Sequence, residues 1–316
     1  MKKMKNYLIL PVLFILASCS KNDVTGEAAV AATERKCATM EVLAEQMKAD
    51  PTLEGRMARI EEFTGQTIKN SNFRLVNGVI EIPVVFNVIY KTTAQNVSQA
   101  RLEQQIAVLN ADFNATNADF ANVPALFQPV AANVGIRFVI EAVNRKKTTK
   151  SSFSTNNAVK KSGSGGLNPT NPTQFLNIWV CNLGNGILGY AQFPGGASAT
   201  DGVVLLHSTL PGGSAAPYNK GRTATHEVGH YLNLRHIWGD ATCGSDQVSD
   251  TPTHNTANYG CPAAGHKSTC SGTPVEMTMN YMDYTDDACM YMFSNGQKAR
   301  ILSVFAANGP RSAMGM

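Results

Sequence analysis

Residues 226–236 read His-Glu-Val-Gly-His-Tyr-Leu-Asn-Leu-Arg-His. A spacing of four puts His226 and His230 on one face of a helix, where both can offer a ring nitrogen to a single ion, with Glu227 beside them. His236 lies too far along to join them on a straight helix, so the chain must turn back between. Asn233 is the residue for that turn, because its short side chain tolerates positive φ nearly as well as glycine does. Three neutral imidazoles, a carboxylate and an open fourth position describe catalytic zinc; a structural site closes its shell with four protein ligands. Zinc there would acidify a water and polarise a carbonyl, with Glu227 taking the water's proton. A lone histidine is usually a packed or solvated residue, but three of the chain's six fall within these eleven positions.

The stretch resembles the long zinc signature of the metzincin metallopeptidases, His-Glu-x-x-His-x-x-Gly-x-x-His, with Asn233 in place of the glycine. Asn280-Tyr281-Met282-Asp283-Tyr284 is similar to the family's second hallmark, the Met-turn. The resemblance implies that Met282 forms an apolar floor under the metal and that Tyr284 hydrogen-bonds the oxyanion of the reaction. Asp246-Gln247-Val248-Ser249-Asp250-Thr251-Pro252 looks like the family's calcium loop. Oxygen donors from Asp246, Asp250 and Thr251 suit calcium, although such acids also occur as solvated turn residues. In the pappalysin branch an N-terminal pro-region carries a cysteine that fills the fourth zinc position and keeps the enzyme latent. Cys37, in Arg35-Lys36-Cys37-Ala38-Thr39, is the candidate here; the alternative is a plain free thiol.

These groups need elements to hold them. A chain of 316 residues, 43% hydrophobic, buries a full core and is not disordered. The formal charge of +4 is misleading, because Lys2, Lys3 and Lys5 belong to a leader without acidic residues; nucleic-acid partners are not indicated. Tyr7 to Ala17 is apolar but too short for a stable membrane span. Leu16-Ala17-Ser18-Cys19 resembles a bacterial lipoprotein signal, which implies cleavage after residue 18 and a lipid on Cys19; an ordinary secretory peptide is the alternative. Both readings export the protein, to the cell envelope or beyond, and permit disulfides.

Residues 19–78 then read as a tether followed by two short helices ending near Gly65, a helical pro-region. The catalytic domain is expected over 79–316, as an upper part to residue 236 and a lower part from 237. Ile80–Tyr90, Val134–Val143, Phe175–Leu183 and Val203–His207 read as strands, and Ser98–Phe113 as a helix buried on Leu102, Ile106 and Leu109. Residues 151–173 read as a surface loop, and Cys181 as an inert buried thiol. Gly184–Gly196 resembles the family's edge strand above the cleft, where a peptide can add to the sheet; a plain hairpin is the alternative. Alternating strands and helices indicate an α/β (α+β) fold, to which the resemblance adds a twisted mixed sheet with backing and active-site helices.

Residues 237–293 lack regular pattern and hold Cys243, Cys261, Cys270 and Cys289. Two disulfides would stabilise such a region; four cysteines allow three pairings, and no Cys-x-x-Cys pair supports a second zinc site. Similarity to pappalysins suggests Cys243 with Cys270 and Cys261 with Cys289. Ser294-Asn295-Gly296-Gln297 reads as the capping box of a final helix. The pocket selecting the substrate side chain is assigned to residues 284–288, where Asp286 or Asp287 would favour a basic residue. The function expected is an extracytoplasmic zinc endopeptidase acting on proteins or peptides and made as a latent precursor. A lipid-anchored zinc-binding protein and a zinc hydrolase of non-peptide substrates are the alternatives.

Overall fold

The strand that anchors the sheet, β1 (Ile80–Tyr90), carries Val84-Val85-Phe86-Asn87-Val88-Ile89 as an unbroken buried run. Alternation is lost because a central parallel strand is covered on both faces. It pairs in parallel with β3 (Ile136–Lys147) on one side and β4 (Leu176–Cys181) on the other. In the computed structural model, which describes residue 1 and residues 34–70 and 79–314, five strands run in the order β3-β1-β4-β6-β5. Here β5 is Gly189–Ala191, the antiparallel edge, and β6 is Val203–Leu206; a two-residue β2 (Ala131–Ala132) pairs with β7 (Phe293–Ser294) elsewhere. Residues 2–18 of the signal, Cys19 and the tether to residue 33 lie outside the described residues. Among those described, no helix is long and apolar enough to cross a membrane.

The strand expected over 134–143 continues to Lys147, because β1 keeps pairing with it as far as Tyr90 opposite Lys147. Charged residues on that outer strand, Arg145, Lys146 and Lys147, also discourage pairing with another chain. Helix α3 (Gln99–Phe113) backs the sheet, with Ser98 as its N-cap accepting from Arg101 N, and with Leu102, Ile106 and Leu109 buried.

Two helices, α1 (Thr39–Ala49) and α2 (Leu53–Lys69), form the N-terminal arm. Helix α2 runs through Gly65, where an end was expected. Thr64 and Thr67 are buried, and Thr64 meets Asn233 and Ser303; this packing outweighs the ~1 kcal/mol that glycine costs in a helix. Glu61 of α2 accepts from both terminal guanidinium nitrogens of Arg300 at 2.7 and 2.8 Å. Arg300 belongs to the last helix, α5 (Asn295–Ser303), which starts with the expected capping box of Ser294 and Gln297.

The segment 151–173 is irregular as expected but not confined to the surface: Phe153, Val159 and Lys160 are buried. The Lys160 ammonium donates to the Thr200 carbonyl at 2.6 Å and sits 5.3 and 5.2 Å from the ring centroids of Trp179 and Tyr190. Burial pushes its pKa down from 10.5 to about 7, against the attraction of Asp201. Between those values a falling pH protonates the unfolded chain before the folded one, so stability drops as pH falls and levels off below about 7. Lys160→Met is expected to flatten that slope and to raise the melting midpoint by a few degrees at pH 6, measured by thermal unfolding from pH 6 to 10.

Beyond residue 237 the chain is held by two disulfides, Cys243–Cys270 and Cys261–Cys289, with Cα separations of 5.7 and 5.6 Å. This is the pairing the family resemblance suggests. Replacing Cys243 and Cys270 together by serine is expected to cost about 3 kcal/mol, since the bond closes a loop of 27 residues; denaturant unfolding measures it.

Candidate active site

Helix α4 (Arg222–Tyr231) carries His226, Glu227 and His230, and all ten of its residues are buried. Its N-terminal end is fixed electrostatically. Asp287 Oδ2 accepts from Lys220 N at 2.8 Å and Arg222 N at 3.3 Å, placing a carboxylate on the positive end of the helix. The Arg222 guanidinium pairs with Asp112 and Asp119 and donates to the Met290 carbonyl.

The helix ends as its sequence predicts. Asn233 has φ +72°, Leu234 N donates to Gly229 O at 2.9 Å, and Asn233 N donates to His230 O at 3.0 Å. These two bonds form a Schellman cap. The side chain of Asn233 also meets Thr64 Oγ1, a contact glycine cannot make. The cap returns His236 to the triad and supplies the Leu234 carbonyl that His230 Nδ1 faces at 2.8 Å.

Beneath the helix lies the Met-turn. Asn280 Oδ1 accepts from Met282 N at 2.9 Å, and Met282 is fully buried. A Cβ on Gly229 would stand 2.4 Å from Met282 Sδ, so a larger residue there would force the buried Met282 side chain to move. Gly229→Ala is expected to destabilise the chain by about 1–3 kcal/mol and to lower its metal content, read by thermal unfolding and metal analysis.

The three imidazoles converge on their Nε2 atoms, 3.2 Å apart for His226 and His230 and 3.0 Å for His230 and His236. Each Nδ1 is committed: His226 to Tyr281 O at 2.7 Å, His230 to Leu234 O, and His236 to Asp240 Oδ1 at 2.5 Å. Carbonyls only accept, so Nδ1 of His226 and His230 carries the proton and Nε2 is a bare lone pair. Burial pushes the pKa of both well down, which keeps them neutral. Bare lone pairs this close repel unless a cation lies between them, and tetrahedral zinc at 2.0–2.1 Å from each nitrogen sets them about 3.4 Å apart. The residues therefore fit zinc.

A fourth donor faces the same point. Cys37, His226, His230 and His236 are all buried, with donor atoms within 4.8 Å of one another, the one such cluster among the described residues. Burial, with the charge of Glu227, pushes the Cys37 thiol well up. On protein groups alone it stays protonated beside Glu227 Oε2 at 3.5 Å; a divalent cation is what would ionise it.

Cys37 arrives on an added strand. Ala38 N donates to Gly189 O and Leu188 N donates to Lys36 O, both at 3.0 Å, so residues 36–38 run parallel to β5 along its open edge. Extended chain alternates its side chains, and every second residue enters the cleft. Arg35 reaches Asp287 Oδ1 at 2.5 Å, with both side chains buried. Thr39 accepts from Ala191 N at 2.8 Å and so donates its hydroxyl proton to Glu227 Oε2, also at 2.8 Å. Glu227 Oε1 is buried without a hydrogen-bond partner, and burial pushes this carboxyl up to about 7 against the Thr39 and Cys37 contacts. Opposite, Gly189 leaves room: a Cβ there would lie 2.9 Å from Glu227 Cγ.

The family described as Pregnancy-associated plasma protein-A, the pappalysin peptidases, matches residues 168–306. An extracellular metalloprotease of Verticillium alfalfae is 35% identical over 238 residues, 72% of this chain and 77% of that protein. This chain belongs to the pappalysin family of zinc metallopeptidases. Among solved structures, a mutant of Tannerella forsythia promirolysin superposes with a TM-score of 0.80 at 42% identity, over 89% of this chain and 97% of that one. Mature mirolysin in complex with a cleaved peptide gives 0.73 at 45% identity, over 75% of this chain and 96% of that one. The fold is thus a metzincin-like mixed α/β one, with the disulfides and terminal helix in its C-terminal region.

Most residues singled out in the sequence come together: the three histidines, Glu227, Met282, Tyr284 and Cys37. The calcium set is not supported. Asp246 accepts from the Thr251 hydroxyl and Val248 N, and burial pushes its carboxyl up to about 6. Asp250 accepts from Ser294 Oγ and Gly296 N at the start of α5. Protein donors thus satisfy both acids as turn and cap residues. Of the two acids proposed for the pocket, Asp287 is the buried one facing a cation. Sequence reading missed Arg35, Thr39 and Asp240. The alternation Arg35, Cys37, Thr39 was the signal for the first two.

Proposed function

We propose that the chain is an exported endopeptidase held latent by its own N-terminal segment, with residues 34–70 as the inhibitory arm and 79–316 as the catalytic domain. The observation that carries the reading is the convergence of three Nε2 atoms, those of His226 and His230 bare lone pairs, with every Nδ1 committed elsewhere, beside a thiol and a carboxylate. His226, His230 and His236 would hold the zinc, with Cys37 as a further donor until the arm is displaced. When bound, zinc supplies a Lewis acid and an acidified water.

The other residues then act in sequence. With Cys37 and Thr39 gone, Glu227 is free of both contacts and takes the water's proton at a carboxylate oxygen, then delivers it to the leaving amine. Tyr284 donates its hydroxyl to the Cys37 carbonyl at 3.3 Å, and that main-chain carbonyl stands in for the one under attack. Once the arm is gone the same phenol hydrogen-bonds the developing oxyanion. Asp287, already paired with Arg35, selects a basic side chain next to the scissile bond. The open edge of β5 takes up the peptide main chain, as it now takes residues 36–38. Export follows from the leader and agrees with relatives designated extracellular; Leu16-Ala17-Ser18-Cys19 points to a lipid on Cys19.

The test is digestion of denatured casein by the chain lacking residues 1–19, before and after trimming of the arm, with and without 1,10-phenanthroline. The trimmed protein is expected to hold one zinc and to cut mainly beside lysine and arginine, and chelation stops it. Bound zinc with no peptide bond broken after trimming would favour the lipid-anchored binding protein or the non-peptide hydrolase.

A further inference from the structure

The arm does more than fill the metal centre and the Asp287 pocket. Past Thr39 it turns into α1, whose apolar side, with that of α2, closes over one residue of the cleft, Phe193. Leu43, Leu53 and Phe193 form a small cluster of their own, 8%, 2% and 5% exposed, with Met40, Met47 and Met57 packed around it. Gln46 donates to Gln192 at 2.7 Å and Arg56 to the Gly195 carbonyl at 2.8 Å, so the helices grip the chain on both sides of the phenyl ring. A cavity of about 440 Å³, lined by Phe193, Pro194 and Asp240 on one side and Met40, Leu43 and Met57 on the other, remains under the arm.

The position of Phe193 follows from strand geometry. Gly189, Ala191 and Phe193 are spaced by two along the edge strand and its continuation, so they present side chains to one face. That face looks into the cleft, because a Cβ on Gly189 would strike Glu227. Cys37 pairs opposite Gly189 and Thr39 binds Ala191, so the Phe193 ring lies one strand repeat further on, away from Arg35 and Asp287. It still borders the metal centre: its centroid is 5.4 Å from that of His230, edge to face.

We propose that Phe193 determines specificity: it forms the wall of an apolar subsite for a substrate side chain on the side of the scissile bond opposite the Asp287 pocket, two to four residues away. This rests on the peptidase reading and extends it. The occupant is inferred from the residues now seated there, branched and thioether side chains from the arm, with methionine as the adaptable filler of irregular apolar space. Removal of the arm uncovers a large apolar side chain beside the reacting centre, and such exposure marks a binding surface. A peptide lying along β5 meets no side chain at Gly189, a methyl at Ala191 and a phenyl at Phe193, so discrimination is concentrated at the last.

Fluorogenic peptides with a fixed arginine for the Asp287 pocket, and leucine, phenylalanine, serine or aspartate at the second to fourth positions across the scissile bond, test this on the arm-trimmed enzyme. Wild type is expected to favour leucine or phenylalanine over serine about tenfold or more in kcat/KM, the scale on which apolar pockets discriminate. Phe193→Ala is expected to bring that ratio within about twofold, while Phe193→Leu keeps it and both variants keep the preference for arginine over alanine at the Asp287 pocket. A wild-type ratio near one, or an unchanged ratio in Phe193→Ala, overturns the inference; the wild-type ratio serves as a test even where the alanine variant fails to fold. Failure of wild type to cut any peptide sinks the peptidase reading and this inference together, whereas cutting without this discrimination sinks the inference alone.

Discussion

Replacing Glu227 by alanine is expected to lower kcat about 10³-fold while leaving one zinc in the protein and KM nearly unchanged. Proton transfer by a placed side chain is worth 10²–10⁴-fold, and Glu227 is the carboxylate beside the converging imidazoles. It is not counted among the ligands, because the four converging donors are Cys37 and the three histidines. Stability should suffer little. The variant removes a fully buried carboxyl, one oxygen of which has no hydrogen-bond partner, and the main loss is the acceptor for the Thr39 hydroxyl. Turnover and metal analysis on the arm-trimmed protein decide the matter. An alanine variant within tenfold of wild type would show that another group takes the proton.

Replacing Cys37 by alanine in the chain that keeps its arm is expected to raise activity at least tenfold over the intact wild type, yet leave it below the trimmed enzyme. The thiol is one of several holds. Arg35 with Asp287, Thr39 with Glu227, the backbone pairing to β5 and the Glu61–Arg300 pair would all remain. A weakening of only about 1.4 kcal/mol opens the cleft ten times as often. Adding Arg35→Ala is expected to carry the activity further, because Asp287 then lies open to substrate. Rates of casein cleavage by intact, variant and trimmed chains make the comparison. If Cys37→Ala stays as silent as the intact wild type while the trimmed enzyme works, the thiol is a packed bystander and the arm inhibits by occupancy alone.

Where the sequence was legible, the reason was short range. His226, Glu227 and His230 share a helix turn, so spacing alone put them together. Asn233 announced the cap because few residues but glycine and asparagine accept φ +72°. Ser294 and Gln297 announced the last helix, and the apolar run of β1 announced a strand covered on both faces. Misjudged boundaries had tertiary causes: Gly65 stays helical because Thr64 and Thr67 pack, and β3 runs to Lys147 because β1 offers it a partner. Oxygen-rich composition at Asp246 and Asp250 suggested a cation, but composition does not say which donors those oxygens already have. Protein donors had claimed them.

The amino-acid sequence by itself determined the convergence of the three histidines, the turn that brings the third one back and the carboxylate beside them, because each depends on bond geometry within a few residues. Only the tertiary structure decided which cysteines pair, which acid of Asp286 and Asp287 meets a cation, and what fills the cleft. Those contacts join residues far apart in the chain: Arg35 to Asp287 across 252 positions, Cys37 to Glu227 across 190. No local period encodes such a meeting. It follows from how the sheet orders its strands, which leaves β5 with a free edge, and from an arm with the right side chain at every second residue to lie along it.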